Sequence, residues 1–273
     1  MINRSALFTL LFATVMATGT ASAVTYMQDF NAFGDGTTNL GDGSAIHSND
    51  GNASVQSGAL QMTVDSQTST RSSWRIPALV DSSLGWTAKF DFTMADAAGG
   101  NPPADGFSLS YGNIPAFPVG GVAGYGLAEE GFGSGDEVSF EFDTWRVGDT
   151  EHGFNVSHNQ VDLAPVVNTD IIVDGGTVNG SAVLIWDPTN GLTMTVDLGS
   201  GPVTHFTNVS DGAFVGNDAY SWAFSARTGG ATEDLTFDNV MITTNTPVPE
   251  PMTAAMGVLG LAALGLRRRR SVA

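Results

Sequence analysis

The 273-residue chain contains no cysteine. Disulfides, thiolate metal sites and thiol nucleophiles are therefore excluded, and stability has to come from a large core, helped at most by a bound metal. Basic residues are almost as scarce. Residues 24–246 hold five of them, Arg71, Arg75, Lys89, Arg146 and Arg227, against 27 acidic residues, a formal charge of −22. Such a surface repels nucleic acid and anionic lipid; it suits neutral sugars, cation binding or plain solubility outside the cell. No G-x-S-x-G, H-E-x-x-H or phosphate-cradling Gly-Lys-Ser run occurs, and the four histidines, His47, His152, His158 and His205, are scattered. Between the two ends no stretch reads as a long amphipathic helix.

What the middle of the chain does have is alternation. Trp86, Ala88, Phe90, Phe92 and Met94 alternate with mostly polar partners. The same holds for Phe107, Leu109 and Tyr111, for Val138, Phe140 and Phe142, for Leu192, Met194, Val196 and Leu198, and for Tyr220, Trp222, Phe224 and Ala226. A period of two with one apolar face means strands. Gly, Asn, Asp and Ser clusters separate the runs, and 34 glycines allow many tight connections. With no internal repeat and no linker, this predicts one all-β domain over residues 24–243, a sandwich of two antiparallel sheets.

The ends carry different signals. Arg4, an apolar run from Ala6 to Ala17 and the small-residue ending Ala21-Ser22-Ala23 read as a secretory signal peptide over residues 1–23. Residues 244–273 begin with an exposed spacer. Pro249-Glu250-Pro251 comes next, then an apolar run over 252–266, then Arg267, Arg268, Arg269 and Arg270. Fifteen residues give a helix of roughly 22 Å, short for a bilayer core of about 30 Å, and four arginines hold the C-terminus in the cytoplasm. The order of these three parts resembles the PEP-CTERM sorting signal of bacteria. That resemblance implies processing by an exosortase, a Gram-negative host that makes extracellular polysaccharide or biofilm, and a protein tethered to the inner membrane before it reaches the cell surface or matrix.

Three segments stand out within the domain: Ala104-Asp105-Gly106-Phe107-Ser108-Leu109, Ser139-Phe140-Glu141-Phe142-Asp143-Thr144-Trp145 and Phe224-Ser225-Ala226-Arg227-Thr228-Gly229-Gly230. On a strand, Glu141 and Asp143 point to one face, about 6.6 Å apart along the chain. They repel unless a cation or a proton lies between them, and a hard cation such as Ca²⁺ accepts their oxygens readily. Two acids on a wet sheet face are the other reading. Together and in this order the segments resemble the L-type lectins, the legume-lectin-like group with the concanavalin A-like fold.

The resemblance implies a metal site at Glu141 and Asp143, completed by the next loop. That loop is short here and has no counterpart for the family's Asn. Asp149 stands in for the loop Asp, and a one-residue shift brings His152 to the histidine position otherwise taken by Glu151. The resemblance then gives one calcium held by Asp143, Asp149 and the Trp145 carbonyl; a second, transition-metal ion has fewer ligands left. It also makes Asp105 the acceptor of sugar hydroxyls after a cis Ala-Asp peptide. Gly120 and Gly121 let a backbone N–H approach the sugar. Trp145, Phe117 or Tyr125 supplies a stacking face. The bland readings are a turn residue for Asp105 and a flexible loop for the glycines.

The expectation is thus a non-enzymatic carbohydrate-binding protein. A glycoside hydrolase of the same fold is the alternative, since retaining enzymes need two carboxyls about 5 to 5.5 Å apart. However, residues 145 and 146 are Trp and Arg, where laminarinase-like enzymes carry a further Glu. A structural matrix protein without a specific ligand is the third reading.

Overall fold

The computed structural model describes residues 22–97, 103–115, 128–146, 152–210 and 212–245. Most of the signal segment, the sorting tail with Pro249, Glu250, Pro251 and the four arginines, and Gly120, Gly121 and Asp149 lie outside these residues. Among the described residues no helix is long and apolar enough to cross a membrane; the apolar run 252–266 is not among them.

Sixteen strands are described: β1 (Thr25–Gln28), β2 (Ala45–Ser48), β3 (Ser54–Gln56), β4 (Ala59–Thr63), β5 (Arg71–Ile76), β6 (Trp86–Ala95), β7 (Gly106–Gly112), β8 (Glu137–Asp143), β9 (Gly153–His158), β10 (Val161–Asp162), β11 (Val167–Asn168), β12 (Thr177–Asp187), β13 (Gly191–Asp197), β14 (Val203–Val209), β15 (Ser221–Arg227) and β16 (Asp234–Thr244). They form two antiparallel sheets. The first runs β14-β13-β12-β6-β16-β4-β3, with β1 also paired to β16; the second runs β10-β9-β8-β7-β15-β5-β2, with β11 also on β9. This is the two-sheet sandwich that the alternation predicts. The only helical pieces among the described residues are 3-10 turns at Ser82–Leu84 and Ala128–Glu130.

Each run of alternating residues places its apolar set between the sheets. Trp86, Ala88, Phe90, Phe92 and Met94 of β6 are buried, while Lys89 and Asp91 between them are exposed. Phe107 of β7 and Phe142 of β8 stack with ring centroids 4.1 Å apart. Phe90 reaches across to meet Phe224 of β15 edge-on at 5.0 Å. Offset and edge-on pairs of this kind add to the apolar area they bury.

The central strands of the second sheet, β7, β8 and β15, are buried on their other face as well. Ser108, Ser110, Ser139, Ser225 and Glu141 point away from the sandwich interior, yet all are buried. Their hydroxyls pair with one another, Ser110 with Ser139 at 2.8 Å and Ser73 with Ser225 at 3.1 Å. Part of the cover is the chain around Phe132, whose N–H donates to Ser110 Oγ at 2.9 Å and whose ring packs with Ile114 on Ala223.

Candidate functional site

β7, β8 and β15 are neighbours, and register brings the three motif segments to one end of the second sheet. Gly106 faces Asp143 on one side and Arg227 on the other. Asp105 lies just before β7. Its peptide with Ala104 is cis, as the lectin resemblance implies. Its N–H donates to Arg227 O at 3.1 Å, and its carbonyl accepts from Thr144 N at 3.1 Å. Gly106 has φ +117°, and a Cβ there would meet Phe142 O at 2.0 Å, so only glycine allows the strand to start this close to β8.

The Asp105 carboxylate is held by a cation. Arg227 Nε donates to its Oδ2 at 2.8 Å, and Arg227 Nη2 is ion-paired with Glu129 Oε1 from the 3-10 turn. Burial alone would lower the arginine's proton affinity, but the charges of Glu129 and Asp105 raise it. Burial pushes the Glu129 carboxyl well above its ordinary range, against the pull of Arg227. Glu129 Oε2 is buried with no hydrogen-bond partner among the described residues.

Beside this group opens a cavity of about 230 Å³. Its wall carries five carboxylates, Glu129, Glu130, Glu141, Asp143 and Asp162, together with the amides of Asn155 and Gln160, and no lysine or arginine is among its described lining residues. Glu141 and Asp143 share the face predicted for them, but that face is not wet: Glu141 is buried. Its oxygens accept from Ser157 Oγ and, at 3.2 Å, from Asn155 Nδ2. Asn155 Nδ2 also donates to Asp162 Oδ1 at 2.7 Å, tying the two acids together. Burial, opposed by the Ser157 bond and assisted by the Asp162 charge, pushes Glu141 up to about 8. Asp143 Oδ1 accepts from the half-buried Trp145 N at 2.8 Å, which turns the chain out of β8.

Of the expected metal ligands, Glu141 and Asp143 meet at the cavity. His152 does not line it; its Nε2 is 3.4 Å from Asp170 Oδ1, and Arg146 Nη1 is 3.3 Å from Oδ2 of the same residue. Among the described residues no three His, Asp or Glu side chains converge tightly enough to hold a metal ion. The donor chemistry of the cavity nevertheless fits a hard cation: carboxylate oxygens, no lysine or arginine among the described lining residues, and an unpartnered buried oxygen on Glu129.

Several residues here carry no sequence signal of their own. Glu129 and Glu130 come from a 3-10 turn, and Asn155 and Asp162 from the short strands β9 and β10. Arg227 stands inside a recognised segment, and its signal is the rarity of basic residues over residues 24–246. Glu233, just before β16, is fully buried, with neither carboxyl oxygen bonded by a described residue. Burial, opposed by the nearby Thr144 hydroxyl and assisted by the charges of Asp105, Asp96 and Asp143, pushes it up to about 8.

No family model and no curated protein sequence matches the chain. Solved structures do. The chain is similar to peanut lectin solved with a nine-residue peptide, at 20% identity over 84% of this chain and 100% of that one, with a TM-score of 0.61. It is similar to the basic winged bean lectin with Tn-antigen, at 18% identity over 83% and 100%, TM-score 0.60. The lectin from Bauhinia forficata in complex with GalNAc matches at 19% identity over 82% and 99%, TM-score 0.59. What these likenesses share with the chain is the fold, the two-sheet sandwich of the legume lectins.

Proposed function

We propose that this is an exported, non-enzymatic carbohydrate-binding protein, with Asp105 as the acceptor of sugar hydroxyls. The observation that carries the reading is the meeting of Asp105, Glu141 and Asp143 at one end of the second sheet, beside an open acidic cavity. Solved neighbours bearing galactose-type sugars, such as the winged bean acidic lectin with methyl-α-D-galactose, support the same class of ligand. Trp145 and the loop glycines Gly120 and Gly121 complete the proposed sugar contacts. Asp143, Asp149 and the Trp145 carbonyl would hold a calcium, whose chemistry is to neutralise carboxylates and order the following loop. The export reading rests on the signal over residues 1–23 and on exosortase processing at Pro249-Glu250-Pro251. It puts the protein at the surface or in the polysaccharide matrix of a Gram-negative cell.

The test is retention on a glycan array, in calcium and in EDTA, for wild type and Asp105→Ala. Wild type is expected to retain neutral glycans more strongly in calcium, and Asp105→Ala to lose them while its melting temperature still rises with calcium. Retention that survives Asp105→Ala moves the sugar site elsewhere. Reducing sugar released from a retained polysaccharide replaces this reading with a hydrolase, and no retained glycan at all leaves a structural matrix component.

A further inference from the structure

Among the described residues of this very acidic chain, Arg227 is the one basic residue placed on Asp105. Its role, which rests on the carbohydrate-binding reading above, concerns how that site is held and which sugars it admits. Arg227 grips the turn before β7 twice, by its carbonyl to Asp105 N at 3.1 Å and by Nε to Asp105 Oδ2 at 2.8 Å. Its Nη2 meets Glu129 from the separate 128–130 turn. The side chains concerned are 26%, 13% and 5% exposed for Arg227, Asp105 and Glu129, so water competes weakly for these bonds. A guanidinium is planar and presents its donors as a rigid fork, so one whose Nε and Nη2 each hold a carboxylate fixes both partners in direction as well as distance. Gly229 closes the remaining side: a Cβ there would stand 3.1 Å from both Asp105 oxygens.

The charge count decides what the site admits. One arginine shared by Asp105 and Glu129 leaves the trio with no net positive charge, and the carboxylates Glu130 and Asp143 stand on the neighbouring cavity wall. An incoming uronate would meet more anion than cation. We infer that Arg227 is the positioning residue of the carbohydrate site: it takes Oδ2 of Asp105, leaves Oδ1 to accept ligand hydroxyls, and the site admits neutral, hydroxyl-rich sugars and rejects acidic ones.

The experiment uses the full chain as wild type, Arg227→Met and Arg227→Lys, on a printed panel of neutral oligosaccharides and uronic-acid polysaccharides, with circular dichroism and melting to establish folding. Wild type is expected to retain neutral glycans and no uronates. Arg227→Met, which keeps the bulk and removes the fork, should weaken retention about tenfold. Arg227→Lys should recover part of it at an unchanged melting temperature, an order that a merely structural role would not produce. Wild-type retention by folded Arg227→Met overturns the inference; where that variant does not fold, wild-type retention by Arg227→Lys overturns it. Uronate retention that depends on Arg227 also overturns it, because the guanidinium is then a ligand contact. If Asp105→Ala abolishes retention and Arg227→Met does not, only the positioning role falls. If Asp105→Ala itself binds normally, or wild type retains no neutral glycan, the carbohydrate-binding reading fails with it.

Discussion

The two sheets share one alternating pattern and use it differently. In β6 of the first sheet the residues between the buried ones, such as Lys89 and Asp91, stand in solvent. In β7, β8 and β15 of the second sheet the residues flanked by buried apolar ones, Ser108, Ser110, Ser139, Glu141, Ala223 and Ser225, are themselves buried, and four of these six are serines. A strand covered on both faces would ordinarily be apolar throughout. Here the covered face stays polar because its groups bond to one another and to the chain above, as Ser110 does to Ser139 and to Phe132 N. Small side chains also leave room over the sheet, and that room is where Glu141, Asp143 and Asn155 border a cavity. Polarity kept while exposure is lost sets the second sheet's outer face apart from the first's.

The sharpest way to break this comparison is to put a charge on each face. Ser225, fully buried and bonded to Ser73, has no route to water for a lysine. Ser225→Lys is expected to cost more than about 4 kcal/mol, or to abolish folding, in urea unfolding. Thr87, in the outward phase of β6, should accept lysine within about 0.5 kcal/mol. Equal effects at the two positions would mean that the second sheet's outer face is open.

Acidity tests the same contrast next. Glu141 and Glu233 both lie beside the site with carboxyls pushed up to about 8 by burial. A carboxyl whose folded value exceeds its unfolded value of 4.5 binds its proton more tightly when folded. Its contribution is therefore full below that unfolded value and is lost as pH rises through the folded value. Melting temperature without calcium should accordingly fall between pH 5 and 8 and level off above, a loss on the order of a few kcal/mol. Glu141→Gln should flatten part of the slope and Glu233→Gln another part. Calcium bound at the cavity would favour the ionised form of Glu141 and, by neutralising Asp143, ease the ionisation of Glu233 as well, so it should shrink the slope as a whole. A profile that rises over this window would contradict the burial of both acids.

The same physics decides what the sequence discloses. β6, β7, β8, β13 and β15 are legible because uninterrupted alternation runs through them. β16, the partner of β6, is not: its inward set is Leu235 and Phe237, then Val240 and Ile242, and the phase breaks where register shifts between Asp238 and Met241, with Asn239 at φ 50°. One inserted residue moves every later side chain to the other face unless the strand bulges, which hides the period. In the site, the shared face of Glu141 and Asp143 comes from spacing, and Asp105 from its motif. Glu129 does not, because it belongs to a turn with no period and acquires meaning only when Arg227 reaches it from another strand. His152 is adjacent in sequence but turned to Asp170, since its place just before the start of β9 does not by itself fix which way its side chain leaves the sheet.

The smallest expected effect separates the site from its surroundings most finely. Gly229 and Gly230 are consecutive, and both come after β15. An alanine Cβ at Gly229 would stand 3.1 Å from Asp105 Oδ1 and Oδ2, closer than ordinary contact, whereas at Gly230 it would meet nothing within 4 Å. The carboxylate must then give way by a few tenths of an ångström while its bond to Arg227 restrains it. Either alanine also restricts the unfolded chain, so each variant should stay within about 1 kcal/mol of wild type in stability. Binding should divide them. Gly229→Ala is expected to weaken neutral-glycan retention about threefold, because an acceptor displaced by a fraction of an ångström still bonds but bonds worse. Gly230→Ala should bind as wild type does. If the two variants behave alike on the array, the Asp105 carboxylate is not the group that the sugar reads.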